Sequence, residues 1–333
     1  MKQNLHTHST YCDGKSTIKE MIGSALEKGF DVLGFSGHSY TGFDESYCMS
    51  DEKILGYLDD ITEACRFFEI EPDAAKYYYA PDLQEAKDLR IYVGIEQDLY
   101  SARPVLRKSQ GLLNEGARYG TFDYIIGSVH AFRLSWQEIR DLGSDLKRTE
   151  DPGMKGIVFS DEGVYIYVDY GPEALRWAID RVFGGDPLTL CEAYFRDESL
   201  IVRDTDCDIV GHFDLLLKFN EKERMFDETA PRYRAARDLA LNWIFDDFRD
   251  LGHEPIFEVN TGAMARGYRT VPYPSPDSLE AIRRRGGKIV INSDCHQAEL
   301  LDHAFAEARD YVIKAGFRPE LIDVPGGKLE IFV

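Results

Sequence analysis

Short apolar runs of strand length recur along this chain, with stretches of helical period between them. Residues 31–38, 91–95, 123–129, 207–211, 255–259 and 288–291 are such runs. Between the first strand and the second, residues 16–29 put Ile18, Met21, Ile22, Ala25 and Leu26 on one helical face. Ser16 or Thr17 caps that helix and Gly29 ends it. A second face is carried by Ile54, Leu55, Leu58, Ile61 and Cys65 within residues 53–68. Further helices are expected through Leu190, Ala193 and Leu200 after Gly184-Gly185, and at about 231–250, 276–285 and 298–315. Residues 324–333 supply a closing segment. Strand, helix and strand joined by tight turns predict an α/β fold, either a barrel or a doubly wound sheet.

Two stretches interrupt the rhythm. Residues 44–89 read as mostly helical, and their Tyr77-Tyr78-Tyr79 is expected to pack at the rim. Residues 133–165 are rich in charge and glycine, and a strand-like run follows at 163–169. Both read as insertions in a single domain covering residues 1–333, a length normal for one barrel. There is no internal repeat and no low-complexity segment.

The polar residues fall where this pattern gives them meaning. His6 and His8 lie two apart in the first strand, so they share a face while Thr7 points away. By themselves they are also compatible with a polar strand whose histidines meet only water. Asp13-Gly14 suggests a turn that bends a carboxylate back toward them. His38, Glu96, His130, His212 and the pair Asp294/His296 each stand at the C-terminal end of a predicted strand. Only His253 and His303, of eight histidines, fall elsewhere. Loops at that end of an α/β barrel converge on one point, and chemistry is done there.

These nine residues (His6, His8, Asp13, His38, Glu96, His130, His212, Asp294 and His296) make one set of metal-ligand candidates. Nine donors exceed what one ion needs and suit three divalent ions with open positions. Glu96, with two oxygens, is the expected bridge. Such a cluster also resolves a puzzle of charge. The chain carries a formal −20, which repels nucleic acid and argues against a nucleic-acid partner. Three divalent ions against three carboxylates leave the site locally positive, so a small phosphate ester is attracted there.

Six cysteines are scattered without a paired spacing, and no apolar run approaches a membrane span. The N-terminus runs straight into the histidine motif without a secretory leader. Free thiols, a cytoplasmic location and no membrane partner are therefore expected. Oligomeric state is not legible.

The motifs His6-Thr7-His8, Asp13-Gly14, Gly37-His38, Gly94-Ile95-Glu96, Gly127-Ser128-Val129-His130, Gly211-His212-Phe213-Asp214 and Ser293-Asp294-Cys295-His296 resemble, in order, the PHP (polymerase and histidinol phosphatase) family. The resemblance implies a distorted (β/α)7 barrel with a trinuclear site of zinc, manganese or iron at the C-terminal strand ends. It implies one ion on His6, His8, Glu96 and Asp294. A second falls to Glu96, His130 and His212, and a third to Asp13, His38 and His296. The segment 258–268 with Pro272-Tyr273-Pro274-Ser275, and Lys218-Phe219-Asn220 after His212-Phe213-Asp214-Leu215, are similar to the histidinol-phosphatase branch. The expected activity is metal-dependent hydrolysis of L-histidinol phosphate, in histidine biosynthesis. Glu96, His130 and Asp294 are the expected catalytic groups. Arg266, whose guanidinium matches phosphate oxygens, and Lys218 are the expected substrate-binding cations. Three other readings compete: a family phosphoesterase for another small ester or nucleotide, an amidohydrolase-like barrel, and a metal-binding module without catalysis.

Overall fold

The chain was analysed as a computed structural model that describes residues 1–70, 89–102, 105–114 and 120–333. The first part alternates as the sequence predicts. It contains β1 (Gln3–Asn4), α1 (Ile18–Glu27), β2 (Val32–Phe35), α2 (Asp51–Phe67), β3 (Arg90–Asp98) and β4 (Tyr124–Ser128). A separate unit follows: β5 (Ala131–Ser135), α3 (Trp136–Asp141), β6 (Ile157–Phe159) and β7 (Gly163–Tyr167). Helices α4 (Pro172–Arg181), α5 (Pro187–Glu198) and α6 (Ile201–Thr205) then lead to β8 (Ile209–Val210). Next come α7 (Asn220–Glu223), α8 (Pro231–Leu251), β9 (Ile256–Asn260), α9 (Gly262–Ala265), α10 (Pro276–Arg284), β10 (Lys288–Asn292) and α11 (Phe305–Lys314). Last are β11 (Pro319–Val324) and β12 (Gly327–Phe332).

The main sheet runs β1-β2-β3-β4-β8-β9-β10-β12-β11. Its first seven strands are parallel, while β12 and β11 add on antiparallel. The parallel strands curl until β1 meets β10, which makes the distorted (β/α)7 barrel. Side chains more than a ladder close that seam. The Leu5 amide donates to Asn292 Oδ1 at 2.7 Å, and Asn4 Nδ2 donates to Ser293 Oγ at 2.6 Å. A single bridge pairs Thr7 with Cys295.

Alternation on the strands divides the core in two. Outward residues such as Leu33, Ile91, Ile95, Ile125 and Val259 pack under the helices. Inward residues such as Val32, Tyr92, Tyr124, Ile126, Ile256 and Val290 fill the barrel. Tyr124 lies across this floor, and two glycines make room for it. A Cβ on Gly94 would sit 2.2 Å from its ring, and one on Gly34 would sit 2.2 Å from its hydroxyl. The floor is therefore dry and full, and polar chemistry is confined to the mouth above it.

Helix α1 is capped by Thr17, which exchanges hydrogen bonds with Glu20, and Gly29 beyond it has φ +67°. Several boundaries differ from expectation. Strand β1 ends at Asn4, so His6 and His8 follow it instead of lying in it, on either side of the bridged Thr7. Strand β3 does not stop at Glu96 but continues two residues to Asp98. The run at 163–169 is no isolated strand; its first five residues are the centre of an antiparallel sheet, β5-β7-β6. Residues 324–333 are one arm of a hairpin with β11. Helix α4, unexpected, starts with Pro172 and buries Ala174, Leu175, Ala178 and Ile179. The last long helix begins only at Phe305, because Ala304 takes a left-handed φ of 57°. Tyr77-Tyr78-Tyr79, and the expected helical structure past residue 70, lie outside the described residues. Among the described residues no helix is long and apolar enough to cross a membrane, and all six cysteines are free.

Candidate metal centre

Residues two apart on a strand share a face, so Tyr92, Gly94, Glu96 and Asp98 all look into the barrel. The first two belong to its floor, and Glu96 is the first polar group above it. Five imidazoles surround that one carboxylate. Its Oε2 lies 3.2 Å from His6 Nε2, 3.5 Å from His8 Nε2 and 3.0 Å from His38 Nδ1. Its Oε1 lies 3.0 Å from His212 Nε2 and 3.5 Å from His130 Nε2, and accepts from Ser128 Oγ at 2.6 Å. This is the placement a bridging carboxylate requires.

Asp13 and Asp294 complete the ring. A turn at residues 9–14 returns Asp13 to the mouth, closed by the Cys12 and Gly14 amides on Ser9 O. A side chain on Gly14 would meet the Ser9 nitrogen at 2.5 Å, so the turn needs glycine. Asp13 Oδ2 is 3.1 Å from His296 Nε2, and its Oδ1 is 3.5 Å from His8 Nδ1. Asp294 Oδ1 is 3.2 Å from His8 Nε2 and 3.7 Å from His296 Nδ1. Asp294 does so from a left-handed backbone, φ 48°.

All nine expected residues thus meet, and four overlapping groups could each hold an ion: His6/His8/Glu96, Glu96/His130/His212, His8/Asp13/His38/His296 and His38/Asp98/His130. Of the expected sets, Glu96/His130/His212 is brought together as such, Asp13/His38/His296 with His8 added, and His6/His8/Glu96 with Asp294 beside it at 3.2 Å from His8, while the group on Asp98 is additional. His253 and His303 stay outside; His253 sits 3.8 Å from Asp206, and the His303 carbonyl accepts from Thr261.

Two carboxylates were not anticipated. Asp98 Oδ1 holds His130 Nδ1 at 2.5 Å, and Glu258 Oε1 holds His6 Nδ1 at 2.7 Å. Each fixes a ring so that its other nitrogen faces the cluster. Glu258 is itself pinned by Asn260, Asn292 and the His212 amide. The signal was available: Asp98 is two residues beyond Glu96, and Glu258 is two before Asn260, on inward faces. Ending the third strand at Glu96 hid the first.

Electrostatics show what the cluster lacks. Burial works against charge on His6, yet Glu258, Glu96 and Asp294 hold it well above its ordinary value. Burial is likewise outweighed by Glu96 and Asp13 at His38, and by Asp98 and Glu96 at His130, which rises to about 9. His8 goes the other way, to about 4, through burial and its neighbours His296 and His38. Despite burial, Glu96, Asp13 and Asp294 are all held below the usual carboxylate range by surrounding cations. Protons on imidazoles here supply positive charge that carboxylates demand.

The pocket above the cluster holds about 260 Å³ and is lined by Lys15, Asp169, Lys218 and Arg266 as well as by ligand candidates. Arg266 follows α9 and donates to Asp294 Oδ2 at 3.1 Å and to the Asp294 carbonyl at 3.3 Å. Lys218 donates to the Asp169 carbonyl at 2.9 Å, with the carboxylate at 3.4 Å. Both expected cations therefore face the cavity, each already tied to an acid.

The donor set fits divalent metal ions. His6 Nε2, His8 Nε2, His38 Nδ1 and Glu96 Oε2 are buried and make no hydrogen bond, the three nitrogens facing that oxygen at 3.0–3.5 Å, an arrangement that a cation between them would satisfy. Imidazole and carboxylate donors at the mouth of a parallel α/β barrel define a metal-binding barrel protein of the hydrolytic kind. The PHP domain model matches residues 4–248, which take in β2, β3, β4 and β8 of the main sheet and the whole small sheet. The chain belongs to the PHP family of phosphoesterases. A comparison with curated proteins finds no match. Among solved structures, a protein of Listeria monocytogenes assigned as the histidinol phosphatase HisK is 15% identical, with a TM-score of 0.59, covering 92% of this chain and 99% of that one. Histidinol phosphate phosphatase from Lactococcus lactis, in complex with zinc, L-histidinol and phosphate, is 16% identical, with a TM-score of 0.55 and 98% of each chain covered. At such identities these two likenesses speak for the fold.

Proposed function

We propose that the protein is a phosphomonoesterase that hydrolyses L-histidinol phosphate to L-histidinol and phosphate, on a single barrel domain of residues 1–333. The observation that carries this reading is the gathering of nine donors in one cluster, five of its imidazoles around Glu96, with four buried donor atoms making no hydrogen bond. Three divalent ions of zinc, manganese or iron would be held by His6/His8/Glu96/Asp294, by Glu96/His130/His212 and by Asp13/His38/His296. When bound, they supply an activated water and offset the charge of the phosphoryl oxygens.

The chain's own groups do the rest. Glu96 is shared between two of the sets, and His130, steadied by Asp98, keeps one of them in place. Arg266 clamps phosphate oxygens from the pocket wall, and Lys218 adds a second positive charge. Asp294, ionised beside Arg266, accepts a proton from the attacking water at its carboxylate and passes it to the leaving oxygen. The acidic exterior repels long polyanions, so a small ester in the local field is the fitting substrate. The likeness to a fold that binds L-histidinol and phosphate in Lactococcus lactis supports the choice of ester.

The test is metal content per chain, taken alongside phosphate release from L-histidinol phosphate. The expected result is close to three ions and turnover that chelation abolishes. A fully loaded chain that retains one ion or fewer sinks the metal reading. A loaded chain that hydrolyses other esters but not this one sinks the substrate.

A further inference from the structure

A second cleft, of about 330 Å³, opens at the cluster and is not lined by Arg266. It shares Asp13, His38, His130 and Asp169 with the first pocket, so the two are lobes of one site. Their linings differ in kind. The cations Lys15, Lys218 and Arg266 line only the first lobe. The second is walled by Tyr47, Tyr167 and Tyr170, with Ser46 at its edge. These rings stand nearly at right angles. Tyr47 meets the His38 ring at 4.9 Å and 88°, Tyr167 meets Tyr47 at 6.0 Å and 90°, and Tyr170 meets Tyr167 at 5.2 Å and 83°. Hydrogen bonds lock the box: Ser46 Oγ lies 3.2 Å from the Tyr170 hydroxyl, and Thr41 Oγ1 donates to that of Tyr47 at 3.0 Å. Asp169 sits where the lobes join, its side chain one-quarter exposed.

We infer that the tyrosine-walled lobe is the leaving-group subsite, and that it selects esters whose organic half is a flat ring bearing positive charge. The inference rests on the phosphomonoesterase reading above. Phosphate belongs in the cationic lobe. Aromatic faces attract cations and stack flat rings, and a carboxylate at the junction accepts from an ammonium or ring N–H. A polyanionic leaving group meets Asp13 and Asp169 instead and is disfavoured. Two of the three rings and Asp169 belong to β7 and the residues after it, so the small antiparallel sheet acts in selection.

A panel separates ring from charge: L-histidinol phosphate carries both, phenyl phosphate only a ring, phosphoethanolamine only a charge, and glycerol phosphate neither. Wild type is expected to prefer the first over glycerol phosphate by about tenfold or more in kcat/KM. Tyr170→Ala should shrink the ring preference and Asp169→Asn the charge preference, with Asp169→Glu restoring part of it. Binding of free L-histidinol to the loaded protein, read by calorimetry, should weaken in both variants. A wild type indifferent across the panel, or selectivity and L-histidinol binding unchanged in both variants, overturns the inference. Failure on L-histidinol phosphate with preference kept for another cationic ring ester overturns only the named substrate. Retained metal content and melting temperature identify variants that have folded.

Discussion

The two sheets of this protein do different work with different residues. The main sheet ends in imidazoles and carboxylates, three of them held by a further buried group: Glu258 on His6, Asp98 on His130, Ser128 on Glu96. The small sheet β5-β7-β6 carries Tyr165 and Tyr167, packed with Phe43, Tyr47 and Tyr100. A metal donor tolerates little displacement, so it belongs on strands whose seam is stitched by Asn4, Asn292 and Ser293. A tyrosine wall tolerates more, since its attraction is broad and weakly directional. On the function proposed above, the difference teaches that reaction and choice of substrate would be separable, one at the mouth of the barrel and the other largely on the added sheet.

The comparison can be broken at several points. The largest effect is expected from His130→Ala, which removes a donor from the barrel side. Turnover should fall about a thousandfold while the melting curve stays cooperative; near-normal turnover with a full metal complement would refute its role. Asp98→Asn should cost less, about 10- to 100-fold in metal affinity or turnover, because it loosens His130 without removing it. Metal titration checks this, and an unchanged affinity together with unchanged turnover counts against the orienting role. Arg266→Ala should lower kcat/KM about tenfold or more for every phosphate ester alike. A loss confined to ring-bearing esters would place Arg266 on the selecting side instead.

The smallest effect lies beneath both sheets. Burial pushes the Glu198 carboxyl from its ordinary 4.5 up to about 8, although the Tyr194 hydroxyl opposes the shift. The folded chain therefore keeps a proton that the unfolded chain gives up. Stability from this group is complete below about pH 4.5 and is lost as pH rises toward 8, by at most about 1.4 kcal/mol per pH unit. Glu198→Gln should flatten the melting temperature over that window. An equally steep profile in the variant would assign the dependence elsewhere.

Much of the site was legible in the chain because the signals are local. The i, i+2 spacing marks His6 and His8 as a pair, and although β1 ends at Asn4 they flank Thr7, which is bridged to Cys295; most of the other donors stand at or just past the end of an apolar run. The parallel architecture followed from tight strand–helix–strand joints, and the α1 cap from Thr17 and Glu20. Where a boundary slipped by two residues, at β3, a functional carboxylate was lost with it. The 163–169 run was seen as a strand but not as the middle of a sheet, since its partners are set by contacts with residues 131–135 and 157–159.

What sequence alone determined, then, is which residues carry the donors and that most of them stand at or near the ends of apolar runs, because strand and turn signals are properties of a few neighbouring residues. Only the tertiary structure decided that one glutamate stands among five imidazoles, that Asp98 and Glu258 brace two of them, and that tyrosines 120 residues apart in the chain wall a single cleft. Those facts depend on the closing of the barrel, where Asn4 bonds Ser293 and the Leu5 amide bonds Asn292, contacts no local pattern encodes.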